Sequence, residues 1–195
     1  IEAQVRVEGS VAKDTWLKDE PDIDIFMRVP TSAPRVAFRT TCLNIAKEAT
    51  KGSEQIERFA EHPYLEAIVN STRVNIVPCY QAKLAEWISA TDRTPYHTDY
   101  VKPPLDERKC GEVRLLKKFM KGVGVYGAEI KVGGFSGYLC ELLTMYYGSF
   151  NELLDAAANW CEREVIDIEK HYAGKENEAR KIFREPLIVV DPVDK

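Results

Sequence analysis

The feature that most constrains this chain is a change of hydrophobic period partway along it. Before Pro104 the apolar runs are short and alternate with a period of two, while after it they recur every three to four residues. A chain of that kind reads as α+β, with a sheet-based part followed by a mainly helical one. At 195 residues there is room for one large domain or two small ones. The proline-containing polar stretch from Ser89 to Pro104 is the natural divide. The expected domains are therefore 1–104 and 105–195.

Within the first part, alternation in Ala3 to Val7 predicts a strand, and Gly9-Ser10 then opens a short polar segment leading to Trp16 and Leu17. Asp22 to Val29 predicts a second strand, with Ile23, Ile25 and Met27 on one face and Asp22, Asp24 and Phe26 on the other. The stop signal Pro30-Thr31-Ser32 precedes a helix from Pro34 to about Ala49, whose inward face would carry Phe38, Cys42, Ile45 and Ala46. Leu65 to Val69 and Val74 to Val77 read as a hairpin turning at Asn70-Ser71, completing a small mixed sheet with flanking helices.

In the second part, Val113, Leu116, Phe119, Met120 and Val123 mark one helix face, ended by Gly122 and Gly124. Ser136 to Tyr147 predicts a buried helix. Ser149 with Glu152 fits a capping box for a third, reaching about Trp160. Pro186 to Val190 reads as a strand before the turn at Asp191-Pro192.

Composition narrows the function classes. The formal charge of −4 argues against a protein that grips nucleic acid over its whole surface, leaving room only for a local patch such as Arg114, Lys117, Lys118 and Lys121. No apolar run approaches the roughly 20 residues that span a bilayer. The five cysteines are odd in number and form no C-x-x-C pair, which points to reduced, mostly buried thiols and a cytoplasmic location. Because the chain opens at Ile1 inside a strand-like run and stops at Lys195 just after a charged turn, it reads as a fragment.

The sharpest chemical signal is Gly9-Ser10 followed by Asp22-Ile23-Asp24. On a strand, residues i and i+2 share a face with about 6.6 Å between their Cα atoms, so two carboxylates can converge on metal ions. Hard oxygen ligands suit Mg²⁺. The Gly-Ser turn can bring backbone N–H groups and a hydroxyl to the phosphates of the same nucleotide. Exposed strand carboxylates are the competing explanation of a bare D-x-D, and spacing alone does not choose between them.

The wider sequence adds to this. The segments Gly9 to Trp16 and Asp22 to Phe26 resemble the nucleotide-binding region of the archaeal, class I CCA-adding enzymes, which are tRNA nucleotidyltransferases. Further blocks are similar in the same order: Ala60 to Tyr64, Val77 to Tyr80, Asp92 to Thr98, Glu112 to Lys117, Gly124 to Glu129 and Gly134 to Leu143. The resemblance covers nearly the whole chain. It implies a nucleotidyltransferase palm-like head, a truncated helical neck, and template-independent addition of C and A to the 3′ end of tRNA from CTP and ATP with Mg²⁺.

Carried over residue by residue, the resemblance implies that Ser10 holds the triphosphate. Lys13 stands where an arginine is usual, keeping the charge but losing the bidentate fork. Asp22 and Asp24 correspond to two of three catalytic, metal-binding carboxylates, and His97, Lys117 and Tyr126 to residues completing the nucleotide pocket. Read on its own chemistry, each has a plainer role: a lysine on an amphipathic helix is usually solvated and a tyrosine after glycine usually packs. His62 and Cys140 read as structural.

One position departs from the pattern. The family's third carboxylate falls at Asn75, whose amide offers an oxygen but no negative charge. Triphosphate and one Mg²⁺ are therefore expected to bind, with chemistry badly slowed. The family's base-reading arginine lies shortly beyond the Asp191 to Asp194 block, so poor nucleotide selectivity and weak tRNA binding are expected of this fragment. The alternatives are another nucleotidyltransferase of the same fold, such as a poly(A) polymerase or oligoadenylate synthetase, and a catalytically silent nucleotide- or RNA-binding module.

Overall fold

The structure, a computed structural model, describes residues 2–129 and 131–195, so the reading of Ile1 as part of a strand lies outside the described residues. The chain divides into two compact units, one ending at Lys102 and the other running from Pro103 to Lys195. Among the described residues no helix is long and apolar enough to cross a membrane.

The first unit is built on a five-stranded mixed sheet. In chain order its elements are β1 (Gln4–Glu8), the single-turn α1 (Gly9–Ala12), β2 (Asp22–Val29), α2 (Leu43–Ala49), β3 (Glu54–Phe59), β4 (Pro63–Val69), β5 (Thr72–Tyr80) and α3 (Thr94–Val101). The spatial order is β1-β2-β5-β4-β3; only the β2–β5 pair is parallel among these neighbours. Alternation along β2 sorts its residues as expected: Ile23, Ile25 and Met27 pack into a core with Phe38, Leu43, Leu65, Val74 and Ile76. Asp22, Asp24 and Phe26 are left on the opposite face.

Three local expectations need correcting. The helix expected from Pro34 passes through a wider π-helical turn over Phe38–Cys42 before α2. That extra residue per turn shifts the following positions around the axis, so Leu43 enters the core and Ile45 is exposed. β3 escapes the alternation test because it is a polar edge strand, Glu54 to Phe59, whose side chains are mostly exposed. Finally, the polar stretch after Ser89 is not loop throughout. Ser89 and Asp92 form a reciprocal capping box and Pro95 sits in the first turn of α3, where its missing N–H costs nothing.

The second unit contains α4 (Glu107–Gly122), α5 (Gly137–Tyr147), α6 (Phe150–Ala157), β6 (Glu164–Ile166), α7 (Glu176–Ile182) and β7 (Leu187–Val189). Three caps set the starts of its main helices: Asp106, Ser136 and Ser149 each accept a hydrogen bond from the backbone three residues on. Leu116, Met120, Cys140, Leu143, Leu153 and Ile166 form its core. Val113, Leu116 and Met120 are buried as expected, but Phe119 and Val123 are exposed, and Phe119 makes an edge contact with Phe150 instead. α6 stops at Ala157, short of Trp160. The C-terminal strand expected at Pro186 to Val190 is β7, and its parallel partner β6 is only three residues long, too short to show a period.

Candidate nucleotide-binding and catalytic site

The D-x-D pair rides on β2, an interior strand held between β1 and β5. Register places Glu8 opposite Asp24 on one side and Asn75 opposite Asp24 on the other, with Arg73 opposite Asp22. β1 ends at Glu8, so the Gly9-Ser10 turn leaves the sheet directly beside Asp24. Gly9 has φ +69°, and a Cβ there would overlap the Asp24 carboxylate. Glycine at this position is thus a steric requirement: it lets α1 begin against the carboxylate.

Each carboxylate on this face has a neighbour. Asn75 Nδ2 donates to Asp24 Oδ1 at 2.9 Å. Arg73 Nη1 lies 3.3 Å from Asp22 Oδ2. Burial pushes the Asp24 carboxyl above its ordinary pKa and the charge of Asp22 pushes the same way. The Asn75 hydrogen bond and the positive charge of Lys13 pull it back. Lys13, at the end of α1, is buried near the pair. Two aspartates on one strand face, one beside a glycine turn, suit a hard divalent cation that a polyphosphate also ligates. Among the described residues no three histidines, cysteines, aspartates or glutamates cluster as a metal site. A cation here would therefore draw most of its ligands from the nucleotide.

His97 lies half-buried on α3, which packs beside α1 and β1. Arg6 of β1 fixes that helix through a two-point pairing with Asp99, Nη2 to Oδ1 at 2.6 Å and Nη1 to Oδ2 at 3.1 Å. Ahead of it, buried Asp92 accepts hydrogen bonds from the backbone of Tyr80, Ile88 and Ser89 and from the Ser89 hydroxyl, anchoring the segment to the end of β5. His62 is structural, as expected: it is buried, bonded through Nε2 to the Thr91 hydroxyl and set edge-on to Phe38.

In the second unit, Lys117 and Tyr126 come together at the start of α5. A Cβ added at Gly137 would lie 3.1 Å from Tyr126 Oη and 3.4 Å from Lys117 Nζ, so the two polar tips meet where α5 presents its first backbone N–H groups. The helix dipole, the ammonium and the phenol together favour an anion. Lys117 is fully buried, not solvated as helical lysines usually are, and its Nζ lies 3.6 Å from Oε1 of buried Glu141. The basic patch expected on α4 therefore loses Lys117 from the surface. Glu141 was not legible as a partner, because contact between residues on different helices leaves no local pattern. Cys140 is a core residue whose thiol burial pushes up to about 12.

Comparison with known proteins places the chain in a family. Residues 2–97 match the family described as nucleotidyltransferase domain, and residues 111–195 the family described as tRNA nucleotidyltransferase, second domain. The chain is 46% identical over 189 residues to a CCA-adding enzyme of Saccharolobus islandicus, covering 96% of this chain and 44% of the relative. It is 42% identical over 198 residues to the CCA-adding enzyme of Methanothermobacter thermautotrophicus, covering all of this chain and 42% of that protein. Among solved structures, E. coli MS115-1 CdnC with ATP shares the fold, with a TM-score of 0.62 and 22% identity over 98% of this chain and 67% of that one. The chain spans less than half the length of these curated relatives, and it belongs with them to the tRNA nucleotidyltransferase family of CCA-adding enzymes.

Proposed function

We propose that this chain is the nucleotide-binding and catalytic half of a CCA-adding enzyme, with 1–104 as the catalytic head and 105–195 as a helical neck. The whole protein would add C and A to the 3′ end of tRNA from CTP and ATP. The observation that carries this reading is the register that sets Asp22 and Asp24 on one face with the Gly9-Ser10 turn beside Asp24. The free thiols of Cys42, Cys79, Cys110 and Cys140, all buried, support a cytoplasmic location.

In this reading Asp22 and Asp24 hold the cation, Mg²⁺, that arrives with the nucleotide. When bound, Mg²⁺ neutralises the polyphosphate and favours the negatively charged oxygens of the transfer. Ser10 donates its hydroxyl and the turn its backbone N–H groups to the phosphates. Lys13 balances the buried charge of Asp24. Lys117 supplies positive charge to a phosphate and Tyr126 a hydrogen bond, while His97 contributes from α3 to nucleotide contact. The protein's part is mainly to position.

The direct experiment gives this chain a tRNA lacking its terminal CCA together with CTP and ATP and follows the product on a gel. Stepwise addition of C, C and A supports CCA addition; a long homopolymeric tail would assign a poly(A) polymerase instead. A second reading, a silent nucleotide-binding module, is favoured by Asn75 on the catalytic face. Mg²⁺-dependent NTP binding with no product would select it.

A further inference from the structure

Two-metal nucleotidyl transfer holds its cations roughly 3.5–4 Å apart, and the pair needs enough anionic oxygen from the protein to share between them. In a sheet, the supply on one face is set by register. β5 runs parallel to β2, so Arg73 lies beside Asp22 and Asn75 beside Asp24. These are the β5 residues that could enlarge the carboxylate set, and one is a cation while the other is neutral.

Both are engaged with the pair. Arg73 lies against Asp22, placing a fixed positive charge where a second cation would need a negative one. Asn75 donates its N–H to Asp24 Oδ1. An ionised carboxylate only accepts, so the amide must approach with its nitrogen, and one Asp24 oxygen is thereby taken up by a donor. The next strand offers Glu66 in register with Asn75, but its Oε1 is held by Arg58 Nη2 at 2.9 Å. On the other side β1 brings buried Glu8 opposite Asp24, but its Oε1 lies 2.8 Å from Arg6 Nε. Asp22 and Asp24 each have a β5 side chain competing with metal for their oxygens.

We propose that the nucleotide site of this chain takes one divalent cation with each triphosphate, and that Arg73 and Asn75 exclude a second. The inference rests on the reading that Asp22 and Asp24 hold the nucleotide's cation. Nucleotide binding is then kept while transfer is slowed, because Arg73 and Asn75 compete with the cation that would activate an attacking hydroxyl.

The test counts cations. The chain is titrated with Mn²⁺ and the nonhydrolysable analogue α,β-methylene ATP; bound nucleotide is measured by equilibrium dialysis, and bound Mn²⁺ by loss of the free-ion paramagnetic resonance signal. One Mn²⁺ per bound nucleotide is expected for the native chain, and two for the double variant Asn75→Asp, Arg73→Ser. Two per nucleotide in the native chain would overturn the inference while leaving the nucleotide reading intact. A double variant that folds, binds the analogue and still takes one would also overturn it. If the native chain binds no analogue with Mn²⁺, or if Asp24→Asn binds it as well as native, the underlying site reading fails and this inference with it. The native count stands even if the double variant does not fold.

Discussion

Gly9 occupies a left-handed backbone position where a methyl group would also overlap the Asp24 carboxylate. Gly9→Ala is therefore expected to cost about 1–2 kcal/mol from the backbone alone, and also to push Asp24 aside. A urea titration would read the first effect, and weaker Mg²⁺-dependent ATP binding at matched folding the second. Asn75 gives a complementary expectation. Replacing it by aspartate should raise CMP and AMP incorporation by about tenfold or more, the scale of changes around a metal site; an unchanged rate would show that the position is not a metal ligand. His62 supplies the pH dependence. Burial lowers its pKa from the ordinary 6.5, so the folded chain keeps the imidazole neutral. Its contribution to stability is present above that value and is lost as pH falls through it towards the lower folded value, where the unfolded chain takes up a proton the folded chain resists. Denaturation midpoints measured from pH 7.5 to 5 should fall, and His62→Gln should flatten the decline.

At the scale of elements, the β4–β5 turn and the α4 core are the clearest tests. Asn70 and Ser71 both have positive φ, 49° and 64°, the requirement of the tight hairpin turn that Asn-Gly satisfies best. Ser71→Gly is expected to stabilise by about 0.5–1 kcal/mol, the left-handed penalty on serine less the added freedom of the unfolded chain. A rise in melting temperature would register it. Leu116, wholly buried between α4 and α5, is the opposite case. Leu116→Ala should cost about 2–5 kcal/mol through lost burial and a residual cavity. Ser71→Gly does not touch the β2 face, so for that variant nucleotide affinity measured well below the melting temperature should hold.

For the molecule as a whole, the formal charge of −4 makes an anionic ligand dependent on its counterion. Chelating divalent cations with EDTA is expected to weaken ATP binding by about tenfold or more, each tenfold being roughly 1.4 kcal/mol. Isothermal titration with and without EDTA would show it; equal affinities would remove Asp22 and Asp24 from the nucleotide site.

Features that rest on local periodicity could be read directly along the chain. The strand alternation that divides Asp22 and Asp24 from Ile23 and Ile25, the Asn70-Ser71 turn, and the cap at Ser149 all depend on contacts within a few residues, so they are readable without a fold. Tertiary structure decided the rest. β3 and β6 exist because a neighbouring strand pairs them, the π-helical turn rotates Ile45 out of the core, and Lys117 is buried against Glu141 from another helix. The site shows the same division. Spacing draws attention to Asp22, Asp24 and Ser10 and the family resemblance gives them roles, whereas Arg73 and Asn75 acquire their neighbours only when β5 docks parallel to β2, since side chains about fifty residues apart have no common period until backbone hydrogen bonds set the register.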